Sequence, residues 1–124
     1  MKLKLTLLAH EDQLTRVQCD GQVTLGNLEG LPDPLEAILS GSGFSRAVLL
    51  DLERVIYVDS HGIGWFLRCH KHCVQAGGIL VLYSVPPLVM QTFTLLRMNL
   101  VFHLATDEAD ARRLAAEARK DGKP

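Results

Sequence analysis

The chain has 124 residues, of which 48% are hydrophobic and 22% charged, with a formal net charge of −1 at pH 7. These values predict one globular domain that buries roughly two-thirds of its unfolded surface, and they exclude general disorder. A nucleic-acid-binding protein is not expected, because phosphate backbones require a concentrated basic face. The longest apolar stretch, residues 79–85, is too short to cross a membrane.

The N-terminal third is predicted to be β-structure. Leucines alternate with Lys4 and Thr6 in residues 2–10, and this period of two indicates a strand rather than an export signal. Without such a signal, and with an odd count of three cysteines, no disulfide framework is expected. The protein is therefore predicted to be cytoplasmic with free thiols.

Tight turns are expected to separate the first strands. A polar turn at residues 11–13 leads to a second strand over residues 14–19. Asp20-Gly21 is a strong hairpin signal, after which residues 22–25 are expected to continue the sheet.

A short helix and two strands follow. The prolines in residues 30–34 suit a helix start, residues 35–39 form the helix, and residues 41–43 end it. The apolar runs at residues 48–50 and 55–58 then predict a pair of strands.

The main helix is predicted over about residues 60–76, where an amphipathic pattern begins and a Gly-Gly pair ends it. Its predicted apolar stripe, at steps of three and four, consists of Ile63, Phe66, Leu67, His70, Cys73 and Val74. Trp65 falls just beside this stripe, as a boundary core residue or an exposed anchor, and the core is favoured. Arg68 lies opposite the stripe on a solvated face.

The C-terminal third alternates strands and helices. Residues 79–83 form a strand covered on both faces, a helix follows over residues 86–98, and residues 101–105 form a last short strand. Residues 107–120 form a terminal helix whose acidic residues come first and whose basic residues come last, matching its dipole. Residues 121–124 are expected to be a disordered tail.

This alternation predicts an α/β fold, with a mixed β-sheet flanked by about four α-helices in a single domain over residues 1–120. Right-handed crossovers then bring Ser60 to the carboxyl end of its strand. In open α/β sheets, functional sites usually lie at that edge.

Ser60 is predicted to stand at the exposed first turn of the main helix. The backbone N–H groups there lack intrahelical partners, and the local field favours negative charge. From position alone the hydroxyl is suited to capping the helix, to nucleophilic work or to receiving a phosphate. Asp59 is an equally good cap, which would leave Ser60 free.

Catalysis is not expected at this turn. Asp59, Ser60 and His61 contain the residue types of a hydrolase triad, but consecutive side chains diverge and cannot form the relay. The nucleophile pattern G-x-S-x-G also fails, because Val58 occupies the first glycine position. The protein is therefore predicted not to be an enzyme.

Cys69, His72 and Cys73 could form a metal site, but a structural role in the core is the stronger interpretation. These residues come close together on the predicted helix and include zinc-ligand types. No matching cluster occurs elsewhere in the sequence, and Cys73 lies in the apolar stripe, which favours a core thiol. Neither a metal nor another cofactor is expected.

The segment VLLDLERVIYVDSHGIGWFL, followed by AGGILVLYSVPPLVMQTFTLLRM and a short strand leading into an acidic helix, resembles the STAS domain. This is the fold of bacterial anti-sigma factor antagonists and of the cytoplasmic tails of sulfate transporters. The resemblance runs from residue 3 to about residue 114, and its most specific part is D-S-x-G-I-G at residues 59–64. Since no membrane segment is predicted, the chain resembles the free-standing antagonists.

The resemblance implies partner switching. In that family an antagonist with a free serine binds an anti-sigma factor serine kinase and so releases the sigma factor. Phosphorylation by the kinase weakens the complex, and a metal-dependent serine phosphatase resets the cycle. Ser60 is the implied phosphoacceptor, and the implied partner-binding residues are Asp59, Ser60, His61, Gly62, Ile63, Thr24 and Arg68.

The expected partners are the anti-sigma factor serine kinase and the serine phosphatase, and binding to nucleic acid or to a membrane is not expected. The protein is expected to be a monomer or a weak homodimer. Two positions depart from the family pattern. His61 stands where antagonists usually carry a second small hydroxyl residue, and Thr24 replaces an acidic residue of the first hairpin. These departures favour the alternative of a non-phosphorylated STAS scaffold or ligand-sensing subunit of a signalling complex.

Overall fold

The computed structural model describes residues 2–11, 13–28, 34–39 and 46–121. Its elements, in chain order, are β1 (Lys4–Glu11), β2 (Leu14–Val23), α1 (Leu25–Leu28), α2 (Pro34–Leu39), β3 (Ala47–Val58), α3 (Ser60–Gln75), β4 (Ile79–Tyr83), α4 (Pro87–Leu95), a 3₁₀ turn (Met98–Leu100), β5 (His103–Ala105) and α5 (Glu108–Asp121). Four of the described helices exceed a single turn. The predicted α/β architecture with about four helices is confirmed.

The strands form one mixed sheet in the order β1-β2-β3-β4-β5. β1 is antiparallel to β2, and the remaining neighbours are parallel. Side chains alternate between the two faces of β3, so Val48 and Leu50 join the core beneath α3 and α4, whereas Leu49 joins the core beneath α5. The helices thus cover both faces, and the strand ends that precede α3 and α4 lie at one edge.

The predicted pair of strands within β3 is wrong, because the two apolar runs belong to one continuous strand. Asp51 does not interrupt it, since its carboxylate accepts a hydrogen bond from the backbone N–H of Glu53 at 2.9 Å. Only the first part of β3 pairs with β4, up to Asp51, whereas β2 pairs along its whole length. The second half therefore extends past β4, and Ile56 and Tyr57 are exposed there.

The predicted hairpin at Asp20-Gly21 is also wrong. β2 passes through this position to Val23, with irregular register against β3 on both sides of it. Gly21 has a φ of 112°, and a Cβ there would collide with the carbonyl oxygen of Lys2. The glycine thus serves a bulge and a close backbone contact, not a turn. The turn predicted at residues 11–13 includes a residue outside the described ones; the strands on either side of it, β1 and β2, pair antiparallel with Glu11 opposite Leu14.

The buried stripe of α3 differs from the predicted one. Val74 is 56% exposed, whereas Cys69 is buried and Trp65 is only 1% exposed, which confirms the core position expected for the tryptophan. The helix is oriented by Phe66, whose ring lies 5.9 Å from that of Phe93 and 6.2 Å from that of Phe102. This contact turns Val74 towards solvent.

Three predicted boundaries shift. α4 ends at Leu95 rather than near residue 98, because Arg97 adopts a left-handed conformation with φ 61° and a 3₁₀ turn follows. β2 ends at Val23, so Thr24 leads into α1, which begins at Leu25, instead of extending the sheet. β5 is shorter than predicted. Asp121, predicted to begin the tail, still belongs to α5, whereas the helix stop at residues 41–43 and the rest of the tail, residues 122–124, lie outside the described residues.

His103 gives the fold a testable pH dependence. Partial burial lowers the pKa of His103, and the neighbouring His70, whose ring centroid lies 5.9 Å away, lowers that pKa further. The unfolded chain therefore binds a proton more readily than the folded one, and stability is lost as pH falls through about 6.5. We expect His103→Gln to show a smaller drop in melting temperature between pH 7.5 and pH 5.5. An unchanged drop in the variant would contradict this assignment.

Candidate functional site

The junction between β3 and α3 is organised by Asp59. This residue has an extended backbone, with φ −98° and ψ −175°, and its Oδ1 accepts a hydrogen bond from the N–H of Gly62 at 2.8 Å. Its carbonyl oxygen accepts the N–H of Ile63 at 3.0 Å. Asp59 is therefore the N-cap, and Ser60 is the first helical residue. Of the three roles open to the Ser60 hydroxyl, capping is taken by its neighbour.

The second carboxylate oxygen of Asp59 connects α3 to the preceding elements. Oδ2 accepts the N–H of Leu25, at the start of α1, at 3.1 Å. The N–H of Asp59 donates to the carbonyl oxygen of Val23, at the end of β2, at 3.3 Å. One residue thus joins β2, α1 and α3. Because both of its oxygens accept backbone N–H groups, Asp59 acts as a cap and not as the acid of a catalytic triad.

The hydrogen bonds to Asp59 also set its charge. Partial burial acts to raise the pKa of Asp59, but the N–H groups of Leu25 and Gly62, aided by the nearby His61, outweigh it and hold that pKa below its usual value. Asp59 is therefore ionised throughout the physiological pH range. A negative charge is fixed directly beside Ser60.

Gly62 allows the first turn of α3 to approach the end of β2. A Cβ at this position would collide with the carbonyl oxygen of Val23 and would stand 2.9 Å from Cγ1 of Val58. Gly64, one half-turn further, has no such contact, since its nearest neighbour would be the Arg68 guanidinium at 3.7 Å. The first glycine is needed for packing, and the second is not.

The seven predicted site residues divide into two groups. Ser60, His61 and Arg68 are exposed, and Thr24 and Asp59 are half-buried beside them. Gly62 and Ile63 are buried, so they position the turn from below. The Arg68 side chain leans back over Gly64 towards the start of the helix, as long side chains on helices do. An exposed hydroxyl therefore stands beside a fixed carboxylate, with His61 next to it in sequence and Arg68 two turns further along α3.

The cysteine-histidine cluster is not arranged for metal binding. Cys69 and Cys73 are buried, whereas His72 is exposed, and burial raises the pKa of the Cys73 thiol to about 12. In the part of the chain that the structure describes, no three histidine, cysteine, aspartate or glutamate side chains are grouped closely enough to hold a metal ion.

One surface feature was missed from the sequence. The protruding end of β3 and helix α4 enclose a groove of about 210 Å³, lined by Ile56, Tyr57, Leu88, Gln91 and Thr92 among others. Periodicity within β3 cannot reveal it, because the groove depends on where β4 stops. The sequence signal that could have indicated the groove is the composition of α4. This helix has more apolar residues than are needed to cover one buried face.

The chain belongs to the STAS domain family, because the family model described as "Mlab, STAS domain" matches residues 6–104. No curated protein sequence matches the chain. Within the described residues, no helix is both long and apolar enough to traverse a lipid bilayer.

Several solved structures share the fold. An anti-sigma factor antagonist (STAS) domain protein from Planctomyces limnophilus is 22% identical, with a TM-score of 0.74, over 94% of this chain and 99% of that one. A putative anti-sigma factor antagonist from Thermotoga maritima is 15% identical, with a TM-score of 0.77, over 92% and 94%. The antagonist SpoIIAA in its unphosphorylated form is 13% identical, with a TM-score of 0.64, over 96% and 100%.

The two glycines of α3 provide a matched test of the packing at this turn. We expect Gly62→Ala to lower the free energy of unfolding by about 1–3 kcal/mol, because the new methyl group meets the β2 carbonyl. Gly64→Ala should instead raise it by about 0.5–1 kcal/mol, since alanine favours the helix. Urea denaturation measures both. Equal effects of the two substitutions would contradict the close approach.

Proposed function

We propose that the protein is an anti-sigma factor antagonist without enzymatic activity. It binds an anti-sigma factor serine kinase through the turn at residues 59–64 and so releases the sigma factor. Phosphorylation of Ser60 by that kinase ends the binding, and a serine phosphatase restores it. The observation that carries the proposal is an exposed Ser60 hydroxyl, free of the capping role, on a STAS domain.

The phosphoryl group moves from ATP to Oγ of Ser60 within the kinase complex, and the kinase supplies the catalytic groups. This chain supplies only an accessible hydroxyl on a rigid turn. That turn is held from below by the buried Gly62 and Ile63 and from the side by Asp59. A fixed acceptor reduces the ordering needed before transfer.

The electrostatic effect of phosphorylation supports the switch. A phosphate adds about −1.5 to −2 charges at neutral pH, next to the ionised Asp59. The start of α3 accommodates this charge, because the positive end of the helix dipole favours anions. A partner surface that is acidic or apolar at the contact is repelled. The domain therefore keeps its fold while its outer surface becomes more negative at this turn.

His61 and Arg68 fit the same proposal as parts of the partner-binding surface. Both side chains are exposed, His61 on the first turn of α3 and Arg68 on the third. Arg68 leans over Gly64 towards the start of the helix and is suited to pair with a carboxylate of the kinase. Thr24 lies at the edge of this surface, where its carbonyl oxygen accepts the N–H groups of Asn27 and Leu28 at 3.0 Å and so starts α1.

A second candidate function is a STAS scaffold or ligand-sensing subunit that is never phosphorylated. His61 favours it, because the exposed imidazole stands beside Ser60 where a kinase must approach. Thr24 favours it too, since an acidic docking group is replaced by a neutral one.

Phosphorylation of the purified protein separates the two functions. After incubation with its co-purified kinase and ATP, we expect intact mass spectrometry to show the gain of one phosphate, which Ser60→Ala abolishes. Thr106→Ala is the matched control, because Thr106 is an exposed hydroxyl residue between a strand and a helix at the same sheet edge. That variant should still gain the phosphate. No gain in the unaltered protein, or a gain that survives Ser60→Ala, would refute the switch and favour the scaffold.

A further inference from the structure

Exposed apolar side chains are concentrated on and after helix α4. Leu88, Leu95 and Leu100 are between 72% and 77% exposed, and Leu96 and Val101 are partly so. We call these five residues the α4 patch. Scattered surface leucines are ordinary, but a cluster of this kind marks an interaction site.

The fold does not require the α4 patch. α4 is attached to the core by Val89 and Phe93 on its opposite side, and the Phe93 ring packs 5.4 Å from that of Phe102. Leu88 and Leu95 are seven residues apart and therefore share the outer face of the helix. They contribute little to folding where they stand.

The groove beside β3 extends the α4 patch. Leu88 forms one wall of this 210 Å³ cavity, and Ile56 and Tyr57 form the other. A concave apolar site next to exposed leucines is suited to receive one large side chain from another protein.

The segment that carries the α4 patch has no acidic side chain. Residues 60–106 contain no aspartate or glutamate, although the chain has 14 acidic residues in all. The same segment carries Arg68, Lys71 and Arg97, each of them exposed. Arg97 stands inside the α4 patch, directly after Leu96. A partner that complements this surface carries apolar side chains flanked by carboxylates.

We propose that the α4 patch docks an amphipathic acidic helix of a partner protein. Its apolar side chains cover Leu88, Leu95 and Leu100, one of them enters the groove, and its carboxylates face Arg97. Recognition of an amphipathic helix by an apolar surface is a recurring mode of protein association. The inference does not depend on phosphorylation of Ser60.

Charge argues against a second copy of this chain as the occupant. Symmetric pairing through α4 would bring two acid-free helices together, so neither Arg97 would meet a carboxylate of the partner's α4. Three acidic residues of α5 are already engaged, since Glu108 pairs with Arg112 at 2.9 Å, and Arg113 pairs with both Asp110 and Glu117. A membrane surface is also a poorer occupant, because helices that bind membranes are rich in lysine and arginine. Arg97 is the single cation in residues 87–101, all of which are described.

Site-specific photocrosslinking in cells of the source organism tests the proposal. A benzoylphenylalanine placed at position 95 of the full chain should form an adduct with another protein, and the crosslinked peptide is then sequenced. We expect a segment with apolar residues at helical spacing and more acidic than basic residues. The same probe at position 113 on α5, also exposed, should not form this adduct.

Charge variants complete the test. Arg97→Glu should reduce the adduct at least tenfold, whereas Arg97→Lys should retain it. Both variants should melt at the temperature of the unaltered protein, since Arg97 is exposed. An adduct with this chain itself, with a phospholipid or with a basic segment would overturn the proposal. So would the absence of an adduct, or a yield that Arg97→Glu leaves unchanged.

Discussion

The carboxylate of Asp59 determines what the rest of the site can do. One oxygen caps α3 through Gly62, the other holds α1 through Leu25, and the backbone of the same residue is bonded to β2. A serine caps a helix as well as an aspartate does, and that role would have occupied the Ser60 hydroxyl. Because the aspartate takes this role, the serine beside it is left available.

The geometry of a parallel sheet gives this arrangement its position. β3 and β4 run parallel, so the loop into α3 lies at the carboxyl edge, beyond the last pairing of β4. The turn is rigid because Gly62 packs against β2, and its outer side is open to solvent. A dianion added there alters recognition without disturbing the core. The α4 patch lies on the same layer of helices, so one face of the domain presents both a modifiable hydroxyl and an apolar surface.

Elements that depend on neighbouring residues were predicted correctly from the sequence. Features that depend on contacts between distant parts of the chain were not. The start of α3 was predicted well, because the cap residues and the amphipathic pattern coincide at Asp59. Asp20-Gly21 was taken for a turn since its local preference is strong, but the ladder to β3 and the contact with Lys2 override that preference. Val74 was placed in the core by spacing, whereas the packing of Phe66 against α4 fixes the rotation of the helix.

The central claim is that Asp59, and not Ser60, caps α3. Amide hydrogen exchange at Gly62, followed by nuclear magnetic resonance, tests it most directly. The account predicts that Ser60→Ala leaves protection of the Gly62 amide unchanged, whereas Asp59→Ala reduces that protection by at least about tenfold. Loss of protection in Ser60→Ala, together with retention in Asp59→Ala, would contradict the account. The serine would then be the cap, and its hydroxyl would not be free.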